Sequence, residues 1–157
     1  MTGYIDLLGP EALRQHGVPA PWHLGRADRV RFHELDALNH VNNTSYLTWF
    51  ETFRVDYSIR YGLAYDSAEA PVLVLKSSSI DYLRPMLLHE DYIVTGRTTR
   101  FRTTSFVMDY AVFTNGVMAA TGNAIHVLFE PDGVTRRAIP EAVRAQMIRD
   151  DGAVADS

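Results

Sequence analysis

Between Asp36 and Asn43 the run Asp-Ala-Leu-Asn-His-Val-Asn-Asn places a carboxylate, an imidazole and three carboxamides in eight positions of an otherwise apolar stretch. An ordinary aspartate is ionised at neutral pH, which suits Asp36 to attack a carbonyl or activate water rather than act as an acid. If a helix starts just after this run, its first amides carry unpaired donors and partial positive charge. Such amides stabilise a carbonyl oxygen turning negative during acyl transfer. The chemistry indicated is hydrolysis. A second use of the same residues stands beside it: Asp36 as a turn cap or arginine partner, His40 bonded to a buried backbone carbonyl, Asn42 and Asn43 as helix caps.

The elements that position this run are read from periodicity. Arg29 to His33 alternates charged and apolar side chains, predicting a strand, and Glu34 to His40 reads as a loop. From about Asn43, the residues Tyr46, Phe50, Phe53, Tyr57 and Tyr61 recur every three or four positions, with Leu47, Trp49, Val55 and Ile59 on other faces. This predicts a helix of about five turns, too apolar to lie on a surface. Asn42, Asn43 and Thr44 are cap candidates, and Gly62 sits where a left-handed residue would stop the helix.

Pro71 to Leu83, Asp91 to Phe101, Ser105 to Asn115 and Val117 to Phe129 are rich in β-branched and aromatic residues and read as strands. Asn115-Gly116 marks a type I′ hairpin turn, Pro131-Asp132-Gly133 a further turn, and Pro140 to Arg149 a short helix. The expected organisation is an N-terminal extension over 1–28 with a short helix near Glu11 to His16, a single domain over 29–150, and a tail over 151–157. One buried helix and about five long antiparallel strands make an α+β fold of two layers, whose edge strands must be covered or paired. Dimerisation is the expected solution.

Composition limits what else the chain can be. Its 157 residues are 46% hydrophobic and 22% charged, as in one folded domain. Fifteen Lys and Arg against nineteen Asp and Glu leave a net charge of −4, so no global positive field holds nucleic acid or an anionic membrane. The absence of cysteine removes disulfides, thiolate zinc sites and cysteine nucleophiles. His33, Glu34, Asp36 and His40 cluster in sequence, but without the H-E-x-x-H spacing that puts two imidazoles on one helical face, and no metal is expected. Nucleophile-elbow, P-loop and dinucleotide-binding motifs are missing. With no signal-like start and no apolar run near the roughly 20 residues of a membrane helix, the expected location is the cytoplasm.

The segment Val30 to Arg54, VRFHELDALNHVNNTSYLTWFETFR, resembles the signature of the 4-hydroxybenzoyl-CoA thioesterase family of hotdog-fold proteins. Its D-x-x-x-H-V-N-N-x-x-Y-L-x-x-F-E pattern is also similar to that of plant acyl-ACP thioesterases. The resemblance implies a hotdog fold, a long central helix wrapped by the antiparallel sheet, and acyl-CoA or acyl-ACP hydrolysis at an interface in a homodimer or homotetramer. It places Asp36 on the catalytic carboxylate and His40 on the histidine that the plant-type enzymes have four positions later; on this reading amides of Val41, Asn42 and Asn43 are expected to polarise the carbonyl and His40 to orient substrate or water. Arg100 and Arg102 fall near the turn where CoA phosphates rest in the resembling enzymes. CoA or carrier protein enters as part of the substrate, and no separate cofactor is implied.

The chain departs from these patterns at three points. Leu38 stands where the plant enzymes have Asn, Pro85 falls near their Glu, and Asn43 where some bacterial members have a functional His. The first two departures motivate the alternative of a non-catalytic acyl-thioester binding or sensing module on the same fold. A hotdog dehydratase is a weaker reading, since its His and acid arrangement is not matched.

Overall fold

The structure is a computed structural model that describes residues 6–63 and 68–156. The chain runs α1 (Pro10–Gln15), β1 (Gly25–Arg29), a single 3-10 turn (Phe32–Glu34), α2 (Ser45–Arg60), β2 (Val72–Tyr82), β3 (Asp91–Phe101), β4 (Ser105–Thr114), β5 (Val117–Phe129), α3 (Glu141–Gln146) and β6 (Val154–Ala155). β1 to β5 form an antiparallel sheet in the order β1-β3-β4-β5-β2, and β6 pairs parallel with β3. The architecture is α+β, with α2 packed across one face of the sheet.

The aromatic side chains of α2 explain that packing. Tyr46, Trp49, Phe50, Phe53 and Tyr57 are all buried. Two glycines in the strands make room for them: a Cβ at Gly122 would lie 2.6 Å from the Phe50 ring, and one at Gly96 would lie 2.6 Å from Phe53. Phe50 also stacks on Tyr110 of β4 at 4.8 Å. The helix therefore has one seat on the sheet, which sets where its first turn falls. Gly62, at φ 77°, ends it in the left-handed conformation expected of a C-terminal stop.

Several boundaries differ from expectation. α2 has 16 residues, about four and a half turns, shorter than the helix read from the aromatic spacing. The strand expected at Arg29 to His33 instead ends at Arg29, and Phe32–Glu34 forms the 3-10 turn with Phe32 80% exposed. Gly25 to Arg29 pairs with Thr95 to Asp91, a register that the polar sequence GRADR does not advertise. Residues 25–28 therefore belong to the sheet. The segment before them packs on the sheet: Leu13 and Val18 are fully buried against Ile93, Ala111 and Phe113 on the sheet face away from α2. The terminal helix stops at Gln146 and continues as a wider turn to Asp151.

The expected tail holds the most heavily bonded carboxylate in the core. Asp151 accepts hydrogen bonds from His23 Nε2 (2.6 Å), Tyr57 Oη (2.5 Å), Tyr61 Oη and the Thr98 amide (2.8 Å). Burial, reinforced by the Asp151 charge, pushes the Tyr57 and Tyr61 phenols upward, so both remain donors. One side chain thus ties the N-terminal segment, the C-terminal half of α2 and β3 to the segment after α3. Asp151→Ala strands these donors in the core and is expected to lower the unfolding free energy by about 3–5 kcal/mol, measured by urea denaturation. A loss as small as that of an ordinary surface substitution would show that the carboxylate does not hold the segment.

Candidate active site

The run from Asp36 to Asn43 is a tight loop leading into α2. Asp36 N donates to the His40 carbonyl (2.8 Å) and Asn39 N to the Asp36 carbonyl (3.0 Å), with Asn39 at φ 60° closing the turn. Asp36 Oδ1 accepts from the amides of Leu38 (2.9 Å) and His40 (3.3 Å). Oδ2 has no hydrogen-bond partner among the described residues. The capping use of Asp36 and its chemical use are therefore compatible, since one oxygen fixes the side chain and the other is free. His40 is half-buried, and its imidazole makes no hydrogen bond among the described residues.

The neighbouring amides are distributed differently from expectation. Val41 N donates to the Met86 carbonyl (2.8 Å) and Asn42 N to the Glu34 carbonyl (2.7 Å), so neither is available to a substrate oxygen. Asn42 instead accepts from Thr44 N (3.0 Å) and Thr44 Oγ1 (2.9 Å) through its side chain, capping the turn that precedes Ser45. The Asn43 amide is unpaired among the described residues, and its carbonyl accepts from Tyr82 Oη (2.8 Å). Of the three amides expected to polarise the carbonyl, only that of Asn43 is free.

Glu34, a residue that sequence reasoning weighed only as a metal ligand, holds this loop to the helix. Its Oε1 accepts from Trp49 Nε1 and its Oε2 from Arg31 N, both at 2.9 Å. Its carbonyl receives Asn42 N and, at 3.3 Å, Ser45 Oγ. The spacing of Glu34 and Trp49 carries no motif, so only the fold brings them together. No group of three His, Asp or Glu residues stands close enough to hold a metal among the described residues.

Arg100 and Arg102 lie far from this loop, at the opposite end of β3. They line a cavity of about 410 Å³ together with Lys76, Arg136 and Asp156. Arg100 Nε is 4.0 Å from Asp156 Oδ2, leaving a surplus of positive charge. Lys76 and Arg136 escaped the sequence reading because they come from other strands and loops. The loop is anchored at Met86, just before β3 begins at Asp91, so nine residues of strand separate the ends, about 30 Å. A single protomer does not bring Asp36 and the four cations to one crevice. None of the five principal cavities is lined by Asp36 or His40.

With this fold and loop, the chain belongs to the thioesterase-like superfamily, which residues 30–147 match. It is similar over 99% of its length, and all of the other chain, to a thioesterase-superfamily protein from Jannaschia sp. CCS1 of known crystal structure (43% identity, TM-score 0.93). A thioesterase from Thermus thermophilus, solved with coenzyme A and zinc, is 33% identical with a TM-score of 0.68, covering 82% of this chain and 95% of that one. Among curated proteins, the uncharacterized protein YsmA of Bacillus subtilis (strain 168) is 27% identical over 81 residues, 52% of this chain and 54% of that protein. The chain thus spans about half the length of this curated relative. No described helix is long and apolar enough to cross a membrane.

Glu34→Gln keeps one acceptor but turns an amide N–H toward a second donor. The expected result is a loss of about 1–3 kcal/mol in stability and a red shift of Trp49 emission, read by urea denaturation in a Trp22→Phe background. Unchanged emission and stability would remove Glu34 from its anchoring role.

Proposed function

We propose that the protein is an acyl-CoA thioesterase of the narrower 4-hydroxybenzoyl-CoA thioesterase type, with Asp36 as nucleophile or general base. The observation that carries this reading is the free Oδ2 of an Asp36 whose other oxygen is held by two loop amides beside the start of α2. Oδ2 either attacks the thioester carbon, expelling the CoA thiolate and leaving an anhydride that water opens, or takes a proton from a water that attacks the same carbon. The carbonyl oxygen becomes negative in both routes. The unpaired Asn43 amide and the helix N-terminus would stabilise it, and His40 would orient substrate or water.

The cationic cavity of Arg100, Arg102, Lys76 and Arg136 suits the phosphates of CoA, and this favours CoA over a carrier-protein substrate. Its distance from Asp36 is resolved by a homodimer. β2 is one of the two outer strands of the sheet, with Val72, Val74 and Leu75 exposed, and Leu47, Val55 and Ile59 of α2 are exposed as well. Antiparallel pairing of two β2 edges would bring the Asp36 end of one copy toward the Arg100 end of the other, cover these side chains and complete the sheet. A cytoplasmic location and the absence of a separate cofactor belong to the same proposal.

Asp36→Asn is expected to reduce kcat/KM for acyl-CoA hydrolysis by about a hundredfold or more, measured by thiol release, without loss of fold. Single turnover in heavy-oxygen water that places label in the Asp36 carboxylate establishes the anhydride route, with water opening the anhydride at the Asp36 carboxyl carbon. Wild-type protein that releases no thiol from short, medium, long or aromatic acyl-CoAs would sink the enzymatic reading. Replacing Arg100 and Arg102 together by Ala is expected to raise KM for acyl-CoA about tenfold, and far less for acyl-phosphopantetheine, which lacks the nucleotide. Equal effects on the two substrates would take the nucleotide out of this cavity.

A further inference from the structure

A second, smaller cavity of about 240 Å³ opens between α2 and β2. Leu47, Phe50, Leu75 and Ala124 give it apolar walls, and Arg54 lines it as well. The Arg54 side chain is only 10% exposed, and its nearest counter-ion is Glu51, one turn away on the same helix. Its one hydrogen bond runs from Nη1 to Tyr110 Oη, a neutral acceptor, at 3.3 Å. Glu51 Oε2 is 3.7 Å from Nη2, beyond hydrogen-bond reach, on a side chain 71% exposed and therefore well screened.

Behind Tyr110 stands His126, fully buried, with Nε2 3.2 Å from Tyr110 Oη and Nδ1 unpaired among the described residues. Burial, and then the Arg54 charge, push this imidazole down to about 3, so it is neutral and adds no negative charge. A guanidinium withdrawn from water with one long neutral hydrogen bond and one exposed carboxylate beyond hydrogen-bond reach is incompletely compensated, and a bidentate carboxylate is the group that best completes it. Beside its four apolar side chains the cavity is also lined by Thr48, Glu51, Ser78 and Tyr110. It fits a ligand with a hydrocarbon body and an anionic end.

Arg54 lies nine residues beyond Ser45, about 14 Å along the helix from its first turn. That is the reach of a medium-length chain whose other end sits at the Asp36 loop. We infer that this cavity receives the remote end of the acyl group and that this end is a carboxylate, making the substrate the CoA monothioester of a dicarboxylic acid. This assignment rests on the thioesterase reading.

The test uses two thioethers that cannot be hydrolysed, carboxyheptyl-CoA and octyl-CoA, matched in chain length and differing in the terminal charge. Titration calorimetry of the full chain is expected to find the carboxylate ligand bound about tenfold more tightly. Arg54→Met brings the ratio toward one, and Arg54→Lys retains part of it. Equal affinities in the wild type would overturn the assignment whatever the variants do. So would a wild-type preference that survives in Arg54→Met. Sedimentation of Arg54→Met runs alongside; a monomeric variant together with equal wild-type affinities would assign Arg54 to subunit contacts instead. Because neither ligand is turned over, a protein that hydrolyses nothing yet prefers the carboxylate ligand refutes the enzyme and keeps the site. One that hydrolyses acyl-CoAs without the preference does the reverse.

Discussion

The seating of α2 on the sheet is the constraint from which the rest of the structure follows. Phe50 and Phe53 occupy the space left by Gly122 and Gly96, where even a methyl group would collide with a ring. Protein interiors are close-packed, so such a fit admits little sliding or rotation. Once the helix is fixed, its first turn falls beside the Met86 connection, and the loop carrying Asp36 is held between that connection and Glu34. A loop held in this way is positioned by core packing as well as by its own turn chemistry.

The same seating divides the molecule's surface. One face of α2 is filled by the sheet, while the flank bearing Leu47, Val55 and Ile59 is left beside the outer strand β2. Hydrophobic area and an outer strand edge therefore occur together along one border, a combination that proteins commonly cover or pair. The cationic cavity and the Asp36 loop sit at opposite ends of the protomer.

The outer segments of the chain contribute to the fold as much as its middle. Leu13 and Val18 close the sheet face opposite α2, and Asp151 gathers donors from the N-terminal segment, α2 and β3. Such a carboxylate is stable in the core because each oxygen is satisfied; the same side chain with fewer donors would be a liability. Residues that looked peripheral by position in the sequence are therefore central in space.

Local chemistry alone determined much of this protein. Aromatic periodicity identified the buried helix, Gly62 its end, β-branched runs the four long strands and Asn115-Gly116 their hairpin, because each signal acts over a few neighbouring residues. The polar run at Asp36 was legible for the same reason, and among the described residues Asp36 Oδ2, the His40 imidazole and the Asn43 amide are left free. Only the tertiary structure decided that the amides of Val41 and Asn42 are bound within the fold, that Glu34 meets Trp49, that β1 begins at Gly25, and that Lys76 and Arg136 join Arg100 and Arg102. Each of these depends on groups distant in sequence, whose meeting is set by sheet register and core packing. No local pattern records that register.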